Sequence, residues 1–499
     1  MQNLLIRADA SFAMGTGHVM RCLALAQAWR DSGGQVRFAV CEISESLTKR
    51  LRAEQFEITS LTGAPGSRSD ADRTAELAHQ DGTVWVVVDG YHFGGEYQQT
   101  IKTAGKKLLF LDDYGHADRY RADLILNQNL GANAGMYPGR ESYTKFLLGP
   151  RYALLRREFG EYRRRREIGS VAKRLLVTMG GSDPQHATEF VVGAIARSGL
   201  SDFELKIVVG GSNPHVESIR ERLRAAALDA AVLQDAANMP ELLAQSDLVI
   251  AGAGTTCWEI CLLGIPSILI ELAPNQHGLA KGLHDAGAAL YAGKLAEISR
   301  DDLGQMIKSV APSQVMRTHL SKASRRLLDS QGARRVVAHL KNGLRLREIK
   351  EGDCRLLWEW ANDAQARRMS FSQNPIPWEE HVRWLKEKLA SPSTVFYMAC
   401  REDGTAVGEV RYELEEDRAV LSISISPKFR GNGYGKHALL MATEQLFQRS
   451  SSTKAVDAYV KPENTTSIQL FESAGFHREG LRVHGGREGI HFVLPKRTT

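Results

Sequence analysis

The side chains able to do chemistry gather first between Arg7 and Arg21, in the string Arg-Ala-Asp-Ala-Ser-Phe-Ala-Met-Gly-Thr-Gly-His-Val-Met-Arg. His18 and Arg21 are three residues apart, so on a helix they share one face. An imidazole is the side chain that titrates near neutral pH, which suits it to take a proton from water or a hydroxyl. Arg7 and Asp9 come just before, and their position predicts that they open on the same crevice as His18. One imidazole, one carboxylate and two guanidinium groups then meet at one mouth, a set that can activate a nucleophile and hold an anion. Gly15 and Gly17 let backbone approach a phosphate or sugar, and the free amides of the next helical turn favour negative charge. A Gly-x-Gly turn alone is common and says little. The ionisable residues around it give it meaning.

The elements that must hold this set are a strand before it, Leu4-Leu5-Ile6, and a helix after it, Cys22 to Trp29. Further strands are predicted at Val36–Val40, Val84–Asp89, Leu108–Asp113 and Leu124–Gln128. They are continuous apolar runs, the pattern of a parallel sheet covered on both faces. Each ends in polar residues, and Asp89 is expected to reach substrate there. In open α/β sheets ligands bind at that carboxyl edge.

Residues 150 to 172 are rich in Arg and Tyr, lack a strand pattern and read as a linker; Arg163–Arg166 within them reads as a solvated basic face. A second α/β pattern then starts at Arg174-Leu175-Leu176-Val177-Thr178 and leads into Gly180-Gly181-Ser182, expected to form another anion-binding turn. Strands at Leu205–Val209, Asp247–Gly252 and Ser267–Ile270 follow. Gly254, Thr255 and Thr256 open a helix, so their amides and hydroxyls can neutralise a diphosphate. Glu259, one turn on, can accept two hydroxyl hydrogen bonds.

The opening Arg-Ala-Asp-(x)5-Gly-x-Gly-His-x-Met-Arg-Cys-Leu resembles that of the nucleotide-sugar hydrolases of pseudaminic acid biosynthesis. These remove UDP from a UDP-linked 2,4-diacetamido-2,4,6-trideoxy-altrose and are similar in turn to the two-domain glycosyltransferases of the GT-B class. The residues themselves make His18 the expected catalytic base, from its imidazole and its place at a helix start, with Asp9 beside it, and Arg7, Gly17, Arg21 and Asp89 the expected substrate ligands of the same crevice. The resemblance implies that Gly254, Thr255 and Thr256 face the diphosphate, Glu259 the ribose, and Asn275 and Gln276 the sugar or phosphate.

From Leu344 the pattern changes to strand-like and hairpin-like stretches, ending in Pro-Lys-Phe-Arg-Gly-Asn-Gly-Tyr-Gly-Lys from Pro427 and a helix through Leu446. The turn is not a Walker loop, because Arg430 stands five before Gly435 and His437 follows Lys436. Arg-x-x-Gly-x-Gly resembles the pyrophosphate turn of the GNAT acetyltransferases, and Asn464 to Phe476 resembles their later Asn-containing segment. The resemblance implies acetyl-CoA held by Arg430, Gly431, Gly433, Gly435 and Asn464. Glu409, on the preceding strand, is the candidate base. The family's Tyr is Phe471 here, and a phenyl ring donates no proton.

The fold expected is therefore α/β, with two Rossmann-like domains in the GT-B arrangement followed by a GNAT α+β domain. The expected bounds are 1–155, 170–340 and 343–499. The function expected is UDP-sugar hydrolysis with acetyl-CoA-dependent N-acetylation of the amino-sugar nucleotide. Rivals are a GT-B glycosyltransferase with an acceptor alcohol, a GNAT domain acting on protein or peptide amines, and a non-catalytic sugar-nucleotide binding module. With 64 basic against 58 acidic residues, the net charge of +6 is too mild to imply nucleic acid. The six cysteines form no Cys-x-x-Cys pair, so no metal is expected. No apolar run approaches the roughly 18 residues of a membrane span, and the expectation is a cytoplasmic protein.

Overall fold

Strand β1 (Asn3–Ala8) lies at the middle of the first sheet, joined by β2 (Gln35–Val40), β3 (Glu57–Ser60), β4 (Trp85–Asp89), β5 (Lys107–Leu111), β6 (Leu124–Asn127) and β7 (Lys145–Leu148). Their spatial order is β3-β2-β1-β4-β5-β6-β7, and every pair is parallel. The order reverses between β1 and β4, and the helix Gly17–Asp31 leaves β1 at that switch point. Here the first turn of that helix, with His18, and the carboxyl end of β4, with Asp89, come side by side.

This computed structural model describes residues 3–11, 14–163, 167–181, 183–211, 213–342, 344–401, 404–431, 433–450, 452–484 and 486–496. Phe12 and Ala13 of the opening string, Arg164 to Arg166, Ser182, Gly343 and Asn432 lie outside the described residues.

The second sheet contains β8 (Arg174–Thr178), β9 (Glu204–Val209), β10 (Ala231–Gln234), β11 (Leu248–Gly252), β12 (Ser267–Glu271) and β13 (Leu290–Lys294), in the order β10-β9-β8-β11-β12-β13 and all parallel. Side chains alternate along a strand. Leu175 and Val177 accordingly join Ile250 and Ile268 in one apolar cluster, while Leu176 joins Ala251 and Leu269 in another. Both faces are covered by helices, so the strands are apolar throughout. Truncating a residue such as Ile250 to Ala is expected to cost about 2–5 kcal/mol. The two sheets belong to one compact unit, Met1–Val337, and the second unit is Ala338–Thr499.

The second unit is a mixed sheet of β14 (Arg345–Glu348), β15 (Thr394–Cys400), β16 (Ala406–Glu415), β17 (Arg418–Ile425), β18 (Ala455–Val460), β19 (His477–His484) and β20 (Arg487–Pro495). The order is β14-β15-β16-β17-β18-β20-β19, antiparallel except for β17 with β18. That parallel pair is short. It runs from Arg418↔Ala455 to Val420↔Asp457, while β17 continues to Ile425 and β18 to Val460. The two strands therefore part, leaving backbone of both free of the ladder.

Candidate active sites

Asp89 ends β4 and is fully buried. Oδ1 of Asp89 lies 2.7 Å from Nδ1 of His18 and accepts from Nη2 of Arg21 at 2.6 Å; Oδ2 accepts from Nε of Arg21 at 2.7 Å. For this contact Nδ1 of His18 carries the proton, so the 3.3 Å approach of Arg21 Nη2 to the same nitrogen is proximity between two donors. No described residue bonds Nε2, and His18 lines the cleft. Burial alone would raise the Asp89 carboxyl, but the Arg21 guanidinium and the His18 imidazole outweigh it and hold it well below the usual carboxylate range. Arg21 also donates through Nη1 to Asp113 at 2.8 and 3.0 Å. Tyr91 donates its hydroxyl to Asp113 at 2.6 Å and stands edge-on to the His18 ring, with centroids 4.8 Å apart. Sequence reasoning had not singled out Tyr91.

Arg7 and Asp9 do not share this mouth. Arg7 leaves β1 on the side of the helix Arg68–Gln80 and donates to Asp70 at 2.9 and 2.8 Å. Its Nη1 lies 2.7 Å from Oδ2 of Asp9, and Asp9 Oδ1 accepts from the amides of Cys41 and Glu42. Both are buried and neither lines the cleft. The reason is the strand's two-residue period, which sends Arg7 to the face opposite the cleft helix. They form a knot that braces the strand ends behind His18.

The cleft has a volume of about 880 Å³, and the second sheet supplies its other wall. Gly254, Thr255, Thr256, Glu259, Asn275 and Gln276 all line it. The helix Thr256–Leu263 begins there with no side-chain cap. Gly180 and Gly181 of the expected anion-binding turn line the cleft, and Ser182 lies outside the described residues. Asp183, a few residues on, already accepts from the amides of Ala187 at 2.8 Å and Thr188 at 2.9 Å at the start of the helix Ala187–Ser198. A carboxylate fixed there neutralises the terminus and repels a second anion.

The walls meet closely. A Cβ on Gly17 would stand 3.2 Å from Oγ1 of Thr255, and one on Gly181 would stand 2.9 Å from Cγ2 of Thr16. Asn275 Nδ2 donates to Tyr91 Oη at 2.9 Å, linking the second wall to the His18 cluster. Gln276 instead uses Oε1 to accept from the amide of Leu272. Glu259 is paired with Arg156 at 2.9 Å; burial pushes its carboxyl up, and the guanidinium opposes that.

In the second unit the Arg-x-x-Gly-x-Gly turn leads into the helix Tyr434–Arg449, which has no side-chain cap. Gly431 and Gly433 both have φ of 77°, a left-handed conformation that a side chain would strain. Arg430 is committed elsewhere: Nη1 donates to Asp363 at 2.6 Å and Nε to the Ile425 carbonyl at 3.0 Å. Asn464 caps the helix Thr465–Ser473 by accepting from the Ser467 amide. Glu409 lies on β16 opposite Ser424, and its Oε2 is buried with no hydrogen-bond partner among the described residues. Burial pushes its carboxyl up to about 7, with Arg411 opposing. Phe471 is a core residue, packed against Phe476 and Phe492. Among the described residues, no three His, Cys, Asp or Glu side chains cluster to hold a metal, and no helix is long and apolar enough to cross a membrane.

Comparison with known proteins agrees with this division. Residues 175–334 match the glycosyltransferase family 28 C-terminal domain, and residues 343–477 match the acetyltransferase (GNAT) domain. An uncharacterized protein of Methanocaldococcus jannaschii is 24% identical over 94% of this chain and 96% of its own length. The spore coat polysaccharide biosynthesis protein SpsG of Bacillus subtilis is 26% identical, over 68% of this chain and 97% of its own. The UDP-2,4-diacetamido-2,4,6-trideoxy-beta-L-altropyranose hydrolase of Campylobacter jejuni is 24% identical, over 57% of this chain and 97% of its own. The chain joins two Rossmann-like domains of the GT-B type to a C-terminal GNAT domain.

Proposed function

We propose that the first unit hydrolyses a UDP-linked diacetamido-trideoxy sugar, and that the GNAT domain N-acetylates the UDP-4-amino sugar from which that substrate is made. The observation that carries the first half is the His18–Asp89 pair facing the uncapped helix start at Thr256 across one cleft. Asp89 fixes the Nδ1–H tautomer, leaving Nε2 as the base. Water's oxygen bonds to the anomeric carbon while His18 takes its proton. The bond from that carbon to the diphosphate oxygen breaks, and UDP leaves with the electron pair. Amides and hydroxyls at Thr255 and Thr256 stabilise the departing charge. The name of the Campylobacter relative supports this choice of substrate, and reduced thiols without a metal motif suit a cytoplasmic enzyme.

In the second unit acetyl-CoA supplies the activated acetyl group. The amides of Gly431, Gly433 and Gly435 would hold its pyrophosphate, and the gap between β17 and β18 would take the pantetheine arm. The amine nitrogen would bond to the thioester carbonyl carbon while Glu409 takes its proton, directly or through water. The carbon–sulfur bond breaks, and the CoA thiolate leaves with the electron pair and takes a proton from solvent, since Phe471 has none to give. Acetylation makes the diacetamido sugar that hydrolysis consumes, so the two steps are consecutive.

The test is incubation of the whole chain with UDP-2,4-diacetamido-2,4,6-trideoxy-altrose in ¹⁸O-water, and of the 4-amino precursor with acetyl-CoA. UDP release with ¹⁸O in the free sugar supports the proposal. The family 28 match favours one other reading, a glycosyltransferase. UDP release only when an acceptor alcohol is added would establish that reading instead. Acetyl transfer to peptides but not to the amino sugar would refute the second half.

A further inference from the structure

Arg156 belongs to the segment between the two sheets and was not among the residues singled out from sequence. It lines the cleft, yet its guanidinium is held by two carboxylates. Nη2 donates to Oε1 of Glu259 at 2.9 Å, and Nη1 lies 3.3 Å from Oε1 of Glu158. Its guanidinium stacks over Phe159 at 4.7 Å. The side chain is 8% exposed and that of Glu259 14%.

The segment itself is anchored on both sides. Leu155 and Phe159 pack into the second-sheet core with Cys257 and Trp258, next to Glu259 in sequence. Glu158 faces the other way, accepting from Arg50 at 2.5 Å and from Gln27 at 3.2 Å on helices of the first sheet. An alternating row of charges, Arg50–Glu158–Arg156–Glu259, therefore runs from the first-sheet helices to the cleft. Its last member has one oxygen held, and no described residue bonds the other, Oε2. A carboxylate this enclosed stays aimed and ionised only with a fixed cation against it.

We infer that Arg156 is a positioning residue that aims Glu259 at the ribose of a bound nucleoside diphosphate, and so sets the preference for ribo- over 2′-deoxyribonucleotide. This rests on the reading of the cleft as a UDP-sugar site. Arg156 touches no substrate; it acts through the Glu259 carboxylate.

The test is calorimetric titration of the whole chain with UDP and with 2′-deoxy-UDP. A hydrogen bond to a carboxylate predicts a preference of about 10- to 100-fold for UDP in the unaltered protein. Arg156→Met should cut that preference to within about 3-fold while 2′-deoxy-UDP binds nearly as before. Arg156→Lys, which keeps the charge, should restore part of it. In a Glu259→Gln background, Arg156→Met should leave the remaining preference unchanged, and this pair keeps the test open if the single variant fails to fold. A full preference surviving in Arg156→Met, or equal losses for both ligands, would overturn the inference alone. Failure of the unaltered chain to bind UDP would overturn the underlying reading as well.

Discussion

Nδ1 of His18 and Oδ1 of Asp89 are 2.7 Å apart, although 71 residues separate them in the chain. They meet because β1 and β4 are neighbours at the point where the sheet order reverses. The aspartate is buried and the imidazole reaches the cleft, so one contact fixes both the tautomer and the direction of the base. Replacing His18 by Ala or Asn should lower UDP release by about 10²- to 10⁴-fold. Asp89→Asn should lower it comparably, and should also lower the melting temperature because Arg21 loses its buried partner. UDP release near the unaltered rate in the His18 variants would end the assignment of His18 as base.

The leaving diphosphate is to be neutralised by the uncapped terminus at Thr256, with its amides and hydroxyls. UDP release should therefore continue in EDTA. A loss of turnover in EDTA that Mg²⁺ restored would contradict this account.

Glu409 governs a pH dependence in the second unit. Its carboxyl is pushed from 4.5 to about 7 by burial, so between these values the folded protein holds a proton that the unfolded chain has lost. Stability from this group is fully present below pH 4.5 and is lost as pH rises through about 7. Acetyl transfer moves the opposite way, because the base must be ionised, and should rise through the same range. Glu409→Gln should abolish that limb of the rate profile and flatten the stability profile. A profile unaltered in this variant would remove Glu409 from the mechanism.

Gly433→Glu puts a side chain where φ is 77° and a charge where the pyrophosphate is to lie. The strain alone is about 1–2 kcal/mol. Acetyl transfer and CoA binding should be lost while UDP release continues. Joint loss of both activities in a protein that still melts cooperatively would refute the two separable sites.

Much of this architecture was legible in the residues. Apolar β-branched runs such as Val84–Asp89 marked central strands, and Gly or Thr at Gly17, Thr256 and Gly433 marked helix starts. The strands that went unread in the first two sheets were β3, β7, β10 and β13, which are their edges. Edge strands are half exposed, so they carry no long apolar run.

The choice of partner among polar groups was not legible, because it depends on which face a side chain takes and on residues far away in sequence. Arg7 looked like a cleft residue until the sheet's alternation turned it toward Asp70. Asp183 caps the helix after the glycine turn, a contact that its place in the sequence did not disclose. Phe471, expected where a GNAT-like segment would place a Tyr, has its ring packed in the core against Phe476 and Phe492. Local periodicity decides whether a stretch becomes strand or helix, and the amino-acid sequence carries that unaided. Which carboxylate a buried guanidinium must neutralise is settled only when packing brings the two together, as with Arg156 and Glu259 across 103 residues.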